Sequence, residues 1–136
     1  MKKILVSGAG GFVGARVMSQ LAGRYTLCAF PKGMLAAADK AAVAELVHRE
    51  QPDVILHTAA ISDTAYSEQH PEESYRANVE LPCWMAKAAK ETGAGLVAFS
   101  SDQVYAGLKE HGPFNEKMLL SPANVYGRHK WEAEQR

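Results

Sequence analysis

Cysteine is scarce in this 136-residue chain, and its two copies, Cys28 and Cys83, stand apart in apolar surroundings. No CxxC or Cys/His spacing joins them to anything, so buried, reduced thiols are expected. The five histidines, at 48, 57, 70, 111 and 129, show no zinc-type spacing, and no metal site is expected. Excess charge of either sign is lacking too. Fifteen Lys and Arg balance fifteen Asp and Glu, without the basic excess or charge runs that suit nucleic acid or a membrane surface. Long apolar runs are also missing. The opening Met1-Lys2-Lys3-Ile4-Leu5-Val6 imitates a signal peptide but stops at Ser7 and runs into glycines. A cytoplasmic protein with neither nucleic-acid nor membrane partner is expected. There is no internal repeat or low-complexity tract, and the length suits one domain with a real core.

What is present alternates. Four short apolar runs, residues 3–7, 26–30, 53–57 and 95–100, are continuously apolar, as parallel strands covered on both faces are. A brief strand near 34–36 is a weaker reading. Between the runs lie helical stretches. Residues 11–22 place Phe12, Val13, Val17 and Leu21 along one apolar side. Residues 39–50 start behind Asp39 as cap and end before Gln51-Pro52. Pro71-Glu72-Glu73 opens another helix, since proline suits the first turn and acids favour the positive end. Pro82 deletes an N–H within that pattern, so a kink or two helices meeting near 78–82 is expected, with Asn78 a candidate cap. Ser121-Pro122 reads as the last helix start. Residues 102–121 form the one long loop. The alternation predicts an α/β fold, a doubly wound parallel sheet of Rossmann type.

The most telling stretch is Gly8-Ala9-Gly10-Gly11-Phe12-Val13-Gly14, which follows directly on the first strand. A strand, a glycine turn and a helix let a pyrophosphate approach backbone N–H groups at the positive end of the helix. The spacing is GxxGxxG, a variant of the dinucleotide fingerprint; a plain strand–helix connection is its bland alternative. After the second strand, Phe30-Pro31-Lys32-Gly33 offers no acid for a ribose 2′-hydroxyl. Lys32 could pair with a 2′-phosphate, favouring NADP, or be a solvated loop lysine. His57-Thr58-Ala59-Ala60 leaves the third strand with small residues that suit a backbone lying against the adenosine side. His57 reads better as a strand-end imidazole bonded to neighbouring backbone than as a catalytic base.

Tyr126 and Lys130 stand four apart on the last helix, sharing a face with about 6 Å of axial rise between them. An ammonium beside a phenol favours the phenolate, bringing the pair nearer the range useful for general acid–base work. Ser101, ending the fourth run, can point its hydroxyl at a substrate oxygen. Together they suit carbonyl–alcohol redox chemistry: Tyr126 protonates the oxygen, Ser101 polarises it and Lys130 also holds the nicotinamide ribose.

These residues, Gly8-xx-Gly11-xx-Gly14, His57-xx-Ala60, Asn78, the Ser101 segment ending Val104-Tyr105-Ala106-Gly107, and Tyr126-xxx-Lys130, resemble the extended short-chain dehydrogenase/reductases. Within them, Pro52-Asp53-Val54-Ile55-Leu56, Ser101-Asp102-Gln103-Val104-Tyr105 and Pro122-Ala123-Asn124-Val125-Tyr126-Gly127 look most like the dTDP-4-dehydrorhamnose reductases. The resemblance implies NADP or NAD as cofactor and reduction of a 4-keto nucleotide sugar. It implies Ser101, Tyr126 and Lys130 as catalytic residues. The cofactor would meet Gly8, Gly10, Gly11, Phe12, Val13 and Gly14 in the turn, then Lys32, His57, Ala59, Ala60, Tyr126 and Lys130. A nucleotide-sugar epimerase or dehydratase, or a catalytically idle NAD(P)-binding regulatory module, fits the same scaffold. Departures from the pattern include Ser101 for threonine, Gln103 for an aromatic and His57 for asparagine. Members of that family continue for about as long again. Residues 1–136 are therefore expected to be the cofactor-binding domain, the C-terminal substrate domain being absent, with a homodimer through the closing helix.

Overall fold

The structure is a computed structural model that describes residues 1–33, 36, 39–109 and 111–136. The weak strand reading near 34–36 falls largely outside the described residues. By its internal contacts the chain divides into two compact units. One comprises residues 1–60 and 81–99, the other residues 61–80 and 100–136.

The first unit is a four-stranded parallel sheet with helices. β1 (Lys3–Ser7), β2 (Thr26–Ala29), β3 (Val54–His57) and β4 (Gly95–Ala98) stand in the order β2-β1-β3-β4. Register pairs Leu5 with Cys28 on one side and Ile55 on the other, and Ile55 with Leu96. The α/β Rossmann-like architecture read from the alternation is the one present. Coverage differs from expectation along the sheet. β1 is buried almost throughout, while β4 leaves Val97 and the following Phe99 about half exposed. β2 and β4 are edge strands, so unbroken apolarity in them does not mean burial on both faces. β4 also ends two residues before the predicted limit.

α1 (Phe12–Leu21) buries only Gly14; Phe12 is 96% exposed and Val13 46%. Of its supposed apolar side, Phe12 and Val13 are exposed while Val17 and Leu21 are half-buried. The helix approaches the turn instead through its bare glycine. α2 (Lys40–Glu50) starts as read, with the Asp39 carboxylate accepting from the Ala42 N–H at 2.9 Å. It packs Val43, Leu46 and Val47 with Leu81, Met85, Ala88 and Ala89 of α5 (Leu81–Thr92), around Leu5 and Ile55. Each of the Val, Leu, Ile and Met side chains contributes about 1.5–3 kcal/mol on burial. Cys28 and Cys83 are not disulfide-bonded and are only half-buried.

The second unit is helical. α3 (Thr64–Gln69) is capped by Asp63, and α4 (Pro71–Tyr75) opens on its proline with Glu72 and Glu73 in the first turn. The predicted kink is a π-helical turn, Arg76–Glu80. Pro82 is the second residue of α5, which follows directly on that turn, so the irregular turn falls where the proline removes an N–H. Asn78 caps nothing; its amide bonds inward. A 3₁₀ turn (Asp102–Tyr105) and α6 (Val125–Gln135) complete the unit. α6 starts later than Ser121-Pro122 suggests. Asn124 is its cap, accepting from the Gly127 N–H at 2.7 Å, while Ser121 is spent bonding Val104 and Gly107 through its backbone. No helix among the described residues is long and apolar enough to cross a membrane.

Candidate active site

From β1 the chain moves outward to β2, then returns to the other side of β1 as β3. The winding direction reverses between β1 and β3, and ligands of open parallel sheets bind outside the carboxyl ends of the strands at such a reversal. Ser7 and His57 end those two strands. Their side chains meet, with Ser7 Oγ 2.6 Å from His57 Nδ1, and both are buried. The His57 ring, expected to bond neighbouring backbone, has a hydroxyl partner on the neighbouring strand, a pairing no local pattern in the sequence announces. The Ala59 N–H donates to Ser7 Oγ at 3.3 Å, and Thr58 Oγ1 donates to the Ser7 carbonyl at 2.7 Å. The segment after β3 is thus tied to the end of β1 through one backbone and one side-chain donor. Ala59 is half-buried there and Ala60 exposed.

Within the turn the glycines have different reasons to be glycine. Gly8 has φ +69, and a Cβ would lie 2.8 Å from both the Ala59 nitrogen and Thr58 Oγ1. A Cβ on Gly14 would overlap the Gly8 carbonyl oxygen. These two are fixed by the fold itself. Gly10 is exposed and has nothing within 4 Å. Gly11, the N-cap of α1, has ordinary dihedrals (φ −79, ψ 173), and its Cβ would meet only the Gly8 oxygen at 3.3 Å. No side chain caps α1 and no acid stands in its first turn. Among the described residues, therefore, no side chain competes for the N–H groups of that turn, and anionic oxygen is the chemistry such a helix start fits. Lys32 lies on an exposed turn after β2.

Ser101, Tyr126 and Lys130 all lie in the second unit. Tyr126 and Lys130 are 7% and 6% exposed on one face of α6. Burial lowers the Lys130 ammonium below the usual lysine range, against the upward pull of Glu134. Ser101 does not end a strand. β4 stops at Ala98, and Ser101 caps the 3₁₀ turn, its Oγ accepting from the Gln103 N–H at 3.2 Å. Gln103 Oε1 accepts from Asn124 Nδ2 at 2.9 Å, and Asn124 in turn caps α6. A Cβ on Gly127 would sit 2.7 Å from the Gln103 carbonyl oxygen, so this glycine lets the 3₁₀ turn close on the start of α6. Ser101 is tied in this way to the first turn that carries Tyr126. It also lines an open pocket of about 960 Å³ with Asp102, Tyr105, Glu116, Trp131 and Glu134; Tyr126 and Lys130 are not in that lining.

Residues 1–136 match the family model described as the RmlD substrate binding domain. The chain belongs to that family. Among relatives of this RmlD-family chain, the dTDP-4-dehydrorhamnose reductase of Mycolicibacterium smegmatis is 31% identical over 98% of the chain and 41% of its own length. Methionine adenosyltransferase 2 subunit beta of Mus musculus is 33% identical over 98% of the chain and 42% of its own length. A crystal structure of dTDP-4-dehydrorhamnose reductase from Bacillus anthracis in complex with NADP superposes with a TM-score of 0.91 at 27% identity, over 98% of the chain and 48% of that protein. The chain thus spans less than half the length of these relatives.

The RmlD-family chain has site residues that the sequence did not single out: Ser7 beneath the glycine turn, Asn124 as the true cap, and Ser74 with His129 behind α6. Asn124 alone carried a usable signal, an Asx residue just ahead of the tyrosine-bearing helix.

Proposed function

We propose that residues 1–136 are the dinucleotide-binding and proton-donating part of an NAD(P)H-dependent reductase whose substrate is a 4-keto nucleotide sugar. Gly11 carries the reading. Its Cβ would meet one backbone atom, the Gly8 oxygen at 3.3 Å, so the fold demands a glycine less strictly here than at Gly8 or Gly14, and a ligand that must reach the backbone adds a second reason. On this reading Gly10, Gly11, Phe12 and Val13 offer backbone to the cofactor pyrophosphate, while Gly8 and Gly14 hold the shape of the turn. His57, Ala59 and Ala60 flank the nucleoside, and Lys32 pairs with a 2′-phosphate, selecting NADP over NAD. The similar reductase crystallised with NADP supports this assignment.

When bound, NAD(P)H supplies the hydride that reduces the carbonyl carbon. The protein's own work is at the oxygen. Tyr126 donates its phenolic proton as the carbonyl becomes an alcohol. Ser101 Oγ accepts from the Gln103 N–H and donates to Asp102 Oδ1 at 3.4 Å, and its hydroxyl hydrogen exchanges that long bond for one to the same substrate atom. Lys130 is an ammonium stripped of most of its water, which favours a negative neighbour such as the phenolate left by proton transfer, and it holds the nicotinamide ribose.

A regulatory NAD(P)-binding module is the second reading, favoured by the likeness to a protein named as a subunit of methionine adenosyltransferase. Assay of the full-length protein separates the two. The reductase reading expects NADPH to be consumed in proportion to added keto-sugar. It also expects Tyr126→Phe to cut the rate by about 10²–10⁴-fold while NADPH still binds. Binding without consumption supports the regulatory module, cofactor cycling without net loss supports an epimerase, and an unchanged Tyr126→Phe rate removes Tyr126 as the donor.

A further inference from the structure

α6 is gripped from behind by a chain of buried polar groups. Asn78, in the π-helical turn and 1% exposed, clasps the Ile61 peptide on both sides. Its Oδ1 accepts from the Ile61 N–H at 3.2 Å and its Nδ2 donates to the Ile61 carbonyl at 3.0 Å. The same Nδ2 donates to Ser74 Oγ at 3.1 Å, and Ser74 Oγ lies 2.9 Å from Nδ1 of His129. An amide nitrogen can only donate, so the Ser74 hydroxyl accepts from Asn78 and links it to the imidazole ring. Burial favours the neutral ring, lowering His129 below its usual range. The groups facing it are Glu68 of α3, the edge-on ring of Tyr75 in α4, and Arg128 and Glu132 of its own helix.

His129 sits three residues after Tyr126 and directly before Lys130. Other bonds hold α6 at its ends: Glu68 accepts from the Val125 N–H at 2.7 Å, and the Tyr75 hydroxyl donates to Glu132 at 2.9 Å. Those use a backbone group and a flexible carboxylate. Among the described residues, the Ser74 bond joins a fully buried residue to a ring beside the two functional side chains.

We infer that Ser74 and His129 are positioning residues, whose hydrogen bond fixes the rotation and axial setting of α6 and so the placement of the Tyr126 phenol and the Lys130 ammonium. The kinetic arm of the test rests on the reductase reading; the spectroscopic arm does not. Ser74→Ala and His129→Leu remove the bond, whereas His129→Asn returns an amide near the place of Nδ1 that can accept from or donate to the Ser74 hydroxyl. A displacement of about 1 Å at a reacting group costs up to roughly 10²-fold in rate. In the full-length protein, Ser74→Ala and His129→Leu should therefore lower kcat by about ten- to a hundredfold with KM little changed, and His129→Asn should restore it. In lysine labelled with ¹³C at Cε, the Lys130 titration should move up toward the ordinary lysine range in both bond-breaking variants, as α6 loosens and water reaches the ammonium. It should stay low in His129→Asn.

Ser74→Ala, which removes one hydroxyl, carries the test if His129→Leu does not fold. A lowered melting temperature with an unmoved Lys130 titration and unchanged kcat overturns the inference, as does a failure of His129→Asn to rescue. If the full-length protein reduces no keto-sugar, the reductase reading falls. The Lys130 titration then decides the positioning role alone.

Discussion

The two compact units are held by different forces. In the first, Leu5, Val6, Val43, Val47, Ile55 and Met85 are wholly buried, and the buried polar residues are Ser7 and His57, bonded to each other. In the second, Val79, Val104, Val125 and Tyr126 share the interior with Ser67, Ser74, Asn78 and Lys130. Apolar packing has no preferred direction, so it stabilises a sheet without dictating the angle of any one group. Hydrogen bonds are directional, and a buried polar atom left unpaired costs more than the bond contributes. The unit that carries Ser101, Tyr126 and Lys130 is the one whose interior sets orientation.

The contrast breaks most sharply under truncation. Ile55→Ala should destabilise the first unit by about 2–5 kcal/mol, read from the denaturation midpoint, since the wholly buried site leaves a cavity. Asn78→Ala should cost the second unit about 1–3 kcal/mol although it deletes no apolar contact of note, because Ile61 and Ser74 lose partners. An Asn78→Ala protein as stable as wild type would erase the distinction. Asn124→Ala should cost about 1 kcal/mol through loss of the α6 cap.

The smallest effect is one of pH. His129 titrates below its ordinary 6.5 in the folded protein, so the unfolded chain takes up a proton first as the pH falls. Stability should therefore decline from about pH 6.5 downward and level off below the native value. Melting curves of wild type and His129→Asn across that window check the sign: the extra decline belongs to wild type alone.

The same contrast explains what the sequence made legible. β1 to β3 lie within a residue of their apolar runs, and the Asp39 cap and the Pro71 start stand where local chemistry puts them. Such signals act over a few residues. Misreadings arose where a distant partner decides. Ser121-Pro122 has every local mark of a helix start, yet the backbone of Ser121 is taken by Val104 and Gly107, and Asn124 begins the helix. Ser101 looked like a strand end because Phe99 extends the apolar run, although β4 stops at Ala98. Phe12, Val13, Val17 and Leu21 fall on one side of a wheel, but α1 meets its neighbour through Gly14, whose missing side chain no periodicity weighs. The bond from Ser74 to His129 crosses 55 residues.

The central claim is that the first turn of α1 receives a dinucleotide, and Gly11→Leu tests it most directly. The fold has room for a side chain there with a shift of a few tenths of an ångström against the Gly8 oxygen. Fluorescence titration with NADPH, beside a melting curve, should show a folded variant that has lost binding while wild type retains it. A Gly11→Leu protein that melts and binds NADPH as wild type does would contradict the account.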